Sequence, residues 1–133
     1  MRKIHGGLTA ELNVPFEEVI PSVREALKAE GFGVLTEIDV QATLKEKIGA
    51  EVPSHLILGA CNPHLAHAAM QADPDISLLL PCNVTVRQEG NRVVVSIVDP
   101  GMMAAMSSAP ELKEVAMTAR TKLQRVIEAL AKA

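Results

Sequence analysis

Aromatic residues are almost missing from this chain: Phe16 and Phe32 are the only two, with no tryptophan and no tyrosine. Proteins that read nucleic acid by base stacking rely on aromatic platforms, so that mode of binding is excluded. An excess of basic charge is missing too. There are 13 Lys plus Arg against 16 Asp plus Glu, a formal net charge of −3, whereas phosphate neutralisation supplies most of the affinity of a nucleic-acid binder. Two cysteines in 133 residues are too few for a disulfide framework. No run approaches the roughly 18 to 20 apolar residues that cross a bilayer, and the opening MRKIHGG has no apolar core of a leader. These absences predict a soluble cytoplasmic protein with no nucleic-acid and no membrane partner.

What remains is a globular composition, 48% apolar and 22% charged, long enough for one domain over residues 1–133. With so few aromatics, the core has to be built from Leu, Val, Ile, Met and Ala. Ile4 to Asn13 reads as a first strand. Pro15 then opens a helix in which Phe16, Val19, Ile20, Val23 and Leu27 form a buried stripe, with Glu17 and Glu18 at the positive dipole end. Pro21 interrupts that stripe and predicts a kink or a restart. Gly31 ends the helix, Phe32 to Ile38 is a strand, and Asp39 caps a short helix from Val40 to Lys47.

After a turn at Gly49 to Pro53, His55 to Ala60 is an apolar strand, and Asn62-Pro63 starts a helix to about Ala72. Asp73-Pro74-Asp75 breaks it. Leu78 to Arg87 and Arg92 to Val98 form a hairpin about Glu89-Gly90-Asn91, and Asp99-Pro100-Gly101 ends the sheet. Met102 to Ala109 lacks periodicity and suits a loop or lid. The last helix starts near Pro110, with Leu112, Ala116, Ala119, Leu123, Val126 and Leu130 on one seam. The order βαβαβαββα is an α+β arrangement of helices against a sheet.

The chemistry-bearing stretch is Gly59 to Asn83, which holds both cysteines, each followed by asparagine. On the strand HLILGAC, alternation puts His55, Ile57, Gly59 and Cys61 on one face and Leu56, Leu58 and Ala60 on the other. Cys61 lies just before the free N–H groups of a helix, a setting that lowers thiol pKa, so it is the candidate nucleophile. The plain alternative is a small buried hydrophobe at a tight junction. Cys82 alternates with Val84 and Val86 and points to the core. Asn62, Pro63, Cys82, Asn83, Asp39 and Asp99 are the candidate ligand contacts, although Asp39 and Asp99 are equally explained as caps.

Cys61, His64 and His67 recur at steps of three, and Cys82 or His55 would complete a zinc or copper site; solvated surface histidines are the competing reading. Met102, Met103 and Met106 suit copper(I) or an apolar pocket, and equally a packing role.

The segments PFEEV at 15–19, EALKAEGFGVLTEIDVQATLKEK at 25–47, LGACNPHLAHAAMQADPDISLLLPCNV at 58–84 and VDP at 98–100 closely resemble the bacterial and archaeal family known only as domain of unknown function DUF302. Gly31-Phe32, Asp39, Cys61-Asn62-Pro63, Leu80-Pro81-Cys82-Asn83 and Asp99-Pro100 match its pattern. Pro21 departs from it, and His64 and His67 lie outside it. The resemblance implies a compact domain with helices on a curved, mostly antiparallel sheet, and a homodimer; it implies no reaction. Three functions follow as expectations: a binding module for a small molecule or ion at the two cysteine motifs, a thiol enzyme or sulfur carrier using Cys61, or an interaction module. No cofactor is identified.

Overall fold

A computed structural model describes residues 7–132. The elements run β1 (Gly7–Leu12), α1 (Phe16–Ala29), β2 (Gly33–Asp39), α2 (Val40–Ile48), β3 (His55–Cys61), α3 (Pro63–Ala72), a 3-10 turn (Pro74–Leu79), β4 (Cys82–Glu89), β5 (Arg92–Val98), α4 (Pro100–Ala105) and α5 (Glu111–Ala131). The five strands form one sheet in the order β1-β5-β4-β3-β2, and every neighbouring pair is antiparallel. The expected α+β architecture is therefore present. The expected strand from Ile4 is seen from Gly7; its first residues lie outside the described ones.

Alternation builds the core. Leu8, Ala10 and Leu12 of β1 face Ile97, Val95 and Val93 of β5, and Val84, Val86, Leu58 and Ala60 extend the same buried face. Onto it pack Val19, Val23 and Leu27 of α1 and Leu123, Val126, Ile127 and Leu130 of α5. The α5 seam is buried throughout, from Leu112 to Leu130. On the opposite face, Thr9, Ser96, Thr85, Ile57 and Ile38 stand side by side in register across all five strands. All five retain some exposure.

Three expectations are corrected. First, α1 does not restart at Pro21 but runs unbroken from Phe16 to Ala29. Proline inside a helix costs about 3 kcal/mol, while burying Val19, Val23 and Leu27 completely is worth about 1.5–3 kcal/mol each, so packing wins. Second, β4 begins at Cys82 and not at Leu78, because Asp73 accepts a hydrogen bond from Asp75 N (3.0 Å) and winds Pro74–Leu79 into the 3-10 turn. Third, the Met-rich stretch is not a structureless lid. Asp99 accepts from Gly101 N (2.9 Å) and Pro100 supplies the first helical position, so Pro100–Ala105 is helix.

No helix among the described residues is long and apolar enough to cross a membrane.

Candidate functional site

Because β3 and β4 are neighbours, Ala60 stands opposite Cys82, and Cys61 lies one residue further along. Strand pairing thus brings the two cysteines, 21 positions apart in the chain, to one end of the sheet. There they line a cavity of about 50 Å³ together with Phe32, Leu80, Met103 and Ala119. The walls are almost wholly apolar, contributed by the sheet end, α3, the 3-10 turn, α4 and α5. Cys61 is half-buried and Cys82 is buried; both are free thiols. Burial, and then the neighbouring Cys61, push the Cys82 thiol up to about 11. It therefore carries its proton at neutral pH.

The Cys-Asn-Pro junction is held by local chemistry. Asn62 caps α3, its Oδ1 accepting from Leu65 N (3.2 Å) and its carbonyl from Ala66 N (2.9 Å). Pro63, which is exposed, has no N–H to give. Most first-turn donors are therefore used inside the helix, and the open anion-attracting terminus expected beside Cys61 is largely closed. Asn62 itself is buried, and its Nδ2 lies 3.0 Å from where a Cβ on Gly31 would sit. Gly31 also has φ +84°, so glycine is required there twice over.

The remaining expected contacts scatter. Asp39 sits opposite Leu56 at the far end of the sheet, roughly 17 Å of strand from Cys61, and caps α2 by accepting from Ala42 N at 2.9 Å. Asp99 is at the cavity end, but its carboxylate is engaged by Gly101 N and by Arg120 Nε (3.1 Å). Asp39 and Asp99 thus share no crevice. Asn83 is exposed opposite Gly59. Gly59 offers no room to a ligand either, since Thr36 and Pro81 fill the space a side chain would take.

The histidines are dispersed as well. His64 and His67 are exposed and do not line the cavity, while His55 lies at the other end of β3, opposite Arg87. Burial first, and Arg87 second, lower its pKa. Its Nε2 is buried with no hydrogen-bond partner among the described residues. The set Cys61, His64, His67 is not assembled, because α3 presents both imidazoles to solvent while Cys61 lines the cavity. Among the described residues, no three His, Cys, Asp or Glu side chains are placed to hold a metal ion. The site residues that sequence reasoning missed are Phe32 and the α5 alanines, while of the three methionines expected to line a pocket or to pack, Met103 lines this one. The Asp99-Pro100 cap signal is what points to α4.

Comparison with known proteins supplies a family and no activity. The family model for "Domain of unknown function DUF302" matches residues 8–130. A crystal structure of an uncharacterized conserved protein DUF302 from Bacillus stearothermophilus is similar at 30% identity, over 95% of this chain and 98% of that one, with a TM-score of 0.87. No curated protein matches.

Proposed function

The chain belongs to the DUF302 family, whose function is unknown, and from that premise we propose that it is a binding module for a small molecule or ion held in the cavity that Cys61 and Cys82 line. The observation that carries this reading is the apolar cavity of about 50 Å³ that both cysteines line. A thiol enzyme is the weaker reading: Cys82 is held protonated, and the first turn of α3 has few donors left for a thiolate. We place the protein in the cytoplasm, where the unpaired Cys61 and Cys82 would stay reduced.

Thermal stability against a panel of metal ions and small apolar compounds tests the reading. A ligand at about 100 times its Kd stabilises by roughly 2.7 kcal/mol. The shift should vanish in Ala69→Leu or in the milder Ala104→Leu, since both residues line the cavity. A panel that shifts nothing, or shifts the filled variants equally, overturns it.

We further propose that two copies pair through the outer sheet face, where Ile38 and Ile57 lie side by side. Support comes from exposed Leu35 and half-exposed Ile38 on the edge strand β2. Sedimentation should give a dimer that Ile38→Lys converts to monomer; a monomeric parent protein refutes it.

A further inference from the structure

We propose that a second site, the groove between α4 and α5, takes an organic monoanion, a molecule with an apolar body and one carboxylate. The groove holds about 450 Å³, against about 50 Å³ for the cysteine cavity. Small-molecule sites span roughly 300–1,000 Å³, and an apolar cavity of about 150 Å³ accommodates benzene. The groove therefore has room for a ring or a short chain, which the cavity lacks. This site is separate from the one in the binding-module reading above.

Short side chains make the space. Ala104 and Ala105 stand three and four positions after Gly101 on α4, so the three share a face. All three line the groove, and Ala116 lines it from α5. Larger residues at such positions would interdigitate between the helices and close it. Ala109 and Met117 complete an apolar lining. Ala104 and Ala116 also line the cavity, so substitutions there do not tell the two sites apart.

Charge specifies the other half of the ligand. The chain carries a net −3, yet the charged residues that line this groove, Lys113 and Arg120, are both basic. With Met117 between them they follow one stripe of α5. Lys113 has no ion-pair partner among the described residues. Arg120 is already neutralised, since its Nε donates to Asp99 at 3.1 Å. The balance of these three residues is one positive charge, which matches one carboxylate seated on Lys113. Ser108 adds an exposed hydroxyl to the lining. Glu114 lines a different hollow, beyond Lys113 and Met117.

The test titrates octanoate into isotope-labelled, full-length protein and follows the backbone amides by NMR. Saturable shifts are expected within residues 101–120. Octan-1-ol, which has the same chain and no charge, should bind about fivefold more weakly, the upper end for an exposed ion pair, and octylammonium more weakly still. Lys113→Gln should weaken octanoate about fivefold and leave octan-1-ol unchanged, a contrast that loss of packing would not produce. Ala105→Phe, at an exposed position, should block both ligands. Ala69→Leu, which fills the cavity and not the groove, should affect neither. Circular dichroism checks that each variant is folded.

No saturation by about 10 mM octanoate overturns the proposal. So does equal weakening of octanoate and octan-1-ol by Lys113→Gln. If Ala105→Phe, and not Ile38→Lys, turns a dimer into a monomer, the groove holds a second copy of the chain and the proposal falls. Shifts that centre on Leu65 and Ile76 and vanish in Ala69→Leu would put the octanoate chain in the cavity; this inference then falls and the binding-module reading stands. Octanoate in the groove, with no panel ligand stabilising the cavity, leaves this inference standing and that reading overturned.

Discussion

Pro81 lies so close over Gly59 that a Cβ on the glycine would come within 2.7 Å of the proline Cγ. Thr36 Oγ1 presses on the same point from β2. Gly59 is thus the position at which β2, β3 and the entry to β4 close on one another. Gly59→Ala should destabilise the protein by about 1–3 kcal/mol, the usual cost of overpacking. Urea unfolding measures it, and a double-mutant cycle with Pro81→Ala should recover part of the loss. Additive effects would mean that the two residues do not press on each other.

Pro21 offers the opposite experiment. It is exposed within an unbroken helix, so its side chain contributes little and its missing N–H costs a backbone bond. Pro21→Ala should stabilise the fold by about 2 kcal/mol, the helix-interior penalty less the entropy that proline removes from the unfolded chain. A urea midpoint that stays put or falls would show that α1 has adapted to the ring.

Cys82 sets an alkaline limit. Its folded pKa of about 11 lies above the ordinary 9.0. The folded state therefore holds the proton more tightly, and the contribution is complete below pH 9 and lost as pH rises toward 11. The shift corresponds to roughly 2.7 kcal/mol. Urea curves at pH 8 and pH 11 should show that decline in the parent protein and a smaller one in Cys82→Ala. Equal declines would place the alkaline sensitivity elsewhere.

His55 sets an acid limit. Its pKa is lowered from 6.5 by burial and by Arg87, so its contribution is present above pH 6.5 and is lost as pH falls through the lower folded value. His55→Leu removes a buried nitrogen that has no partner among the described residues, and should flatten the stability profile below pH 6.5. If the variant loses stability in acid as steeply as the parent, His55 is not the group responsible.

Much of the fold was legible because its signals are local. The buried stripes of α1 and α5, the turn at Gly90 and the Asn62-Pro63 helix start all follow from residues within a few positions of each other. The same cap-then-proline pattern occurs again at Asp73-Pro74 and Asp99-Pro100, where it also winds the chain into helical turns. The sequence marks Asp73-Pro74 as a breaker and Asp99 as a cap or turn, without a helix after either, because six residues are too few to display a helical period. The site was half legible. Alternation placed Cys82 in the core, but that Cys61, Cys82 and Met103 all line one cavity depends on strand order and on a short helix, which no local pattern contains. That Asp39 lies away from Cys61 was illegible for the same reason, since that distance is a property of the β2–β3 pairing.

The strand order also sets a timetable. β1 is an edge strand whose sheet partner is β5, with Gly7 opposite Val98. β2, β3 and β4, by contrast, each pair with the next strand in the chain, the quickest pairing a growing polypeptide can make. Of these five strands, the first to leave the ribosome is thus the last to be paired. Until residues 92–98 have emerged, Leu8, Ala10 and Leu12 have no sheet to join. The apolar side of β1 stays unhoused while the other four strands are made, and is a segment a chaperone would meet.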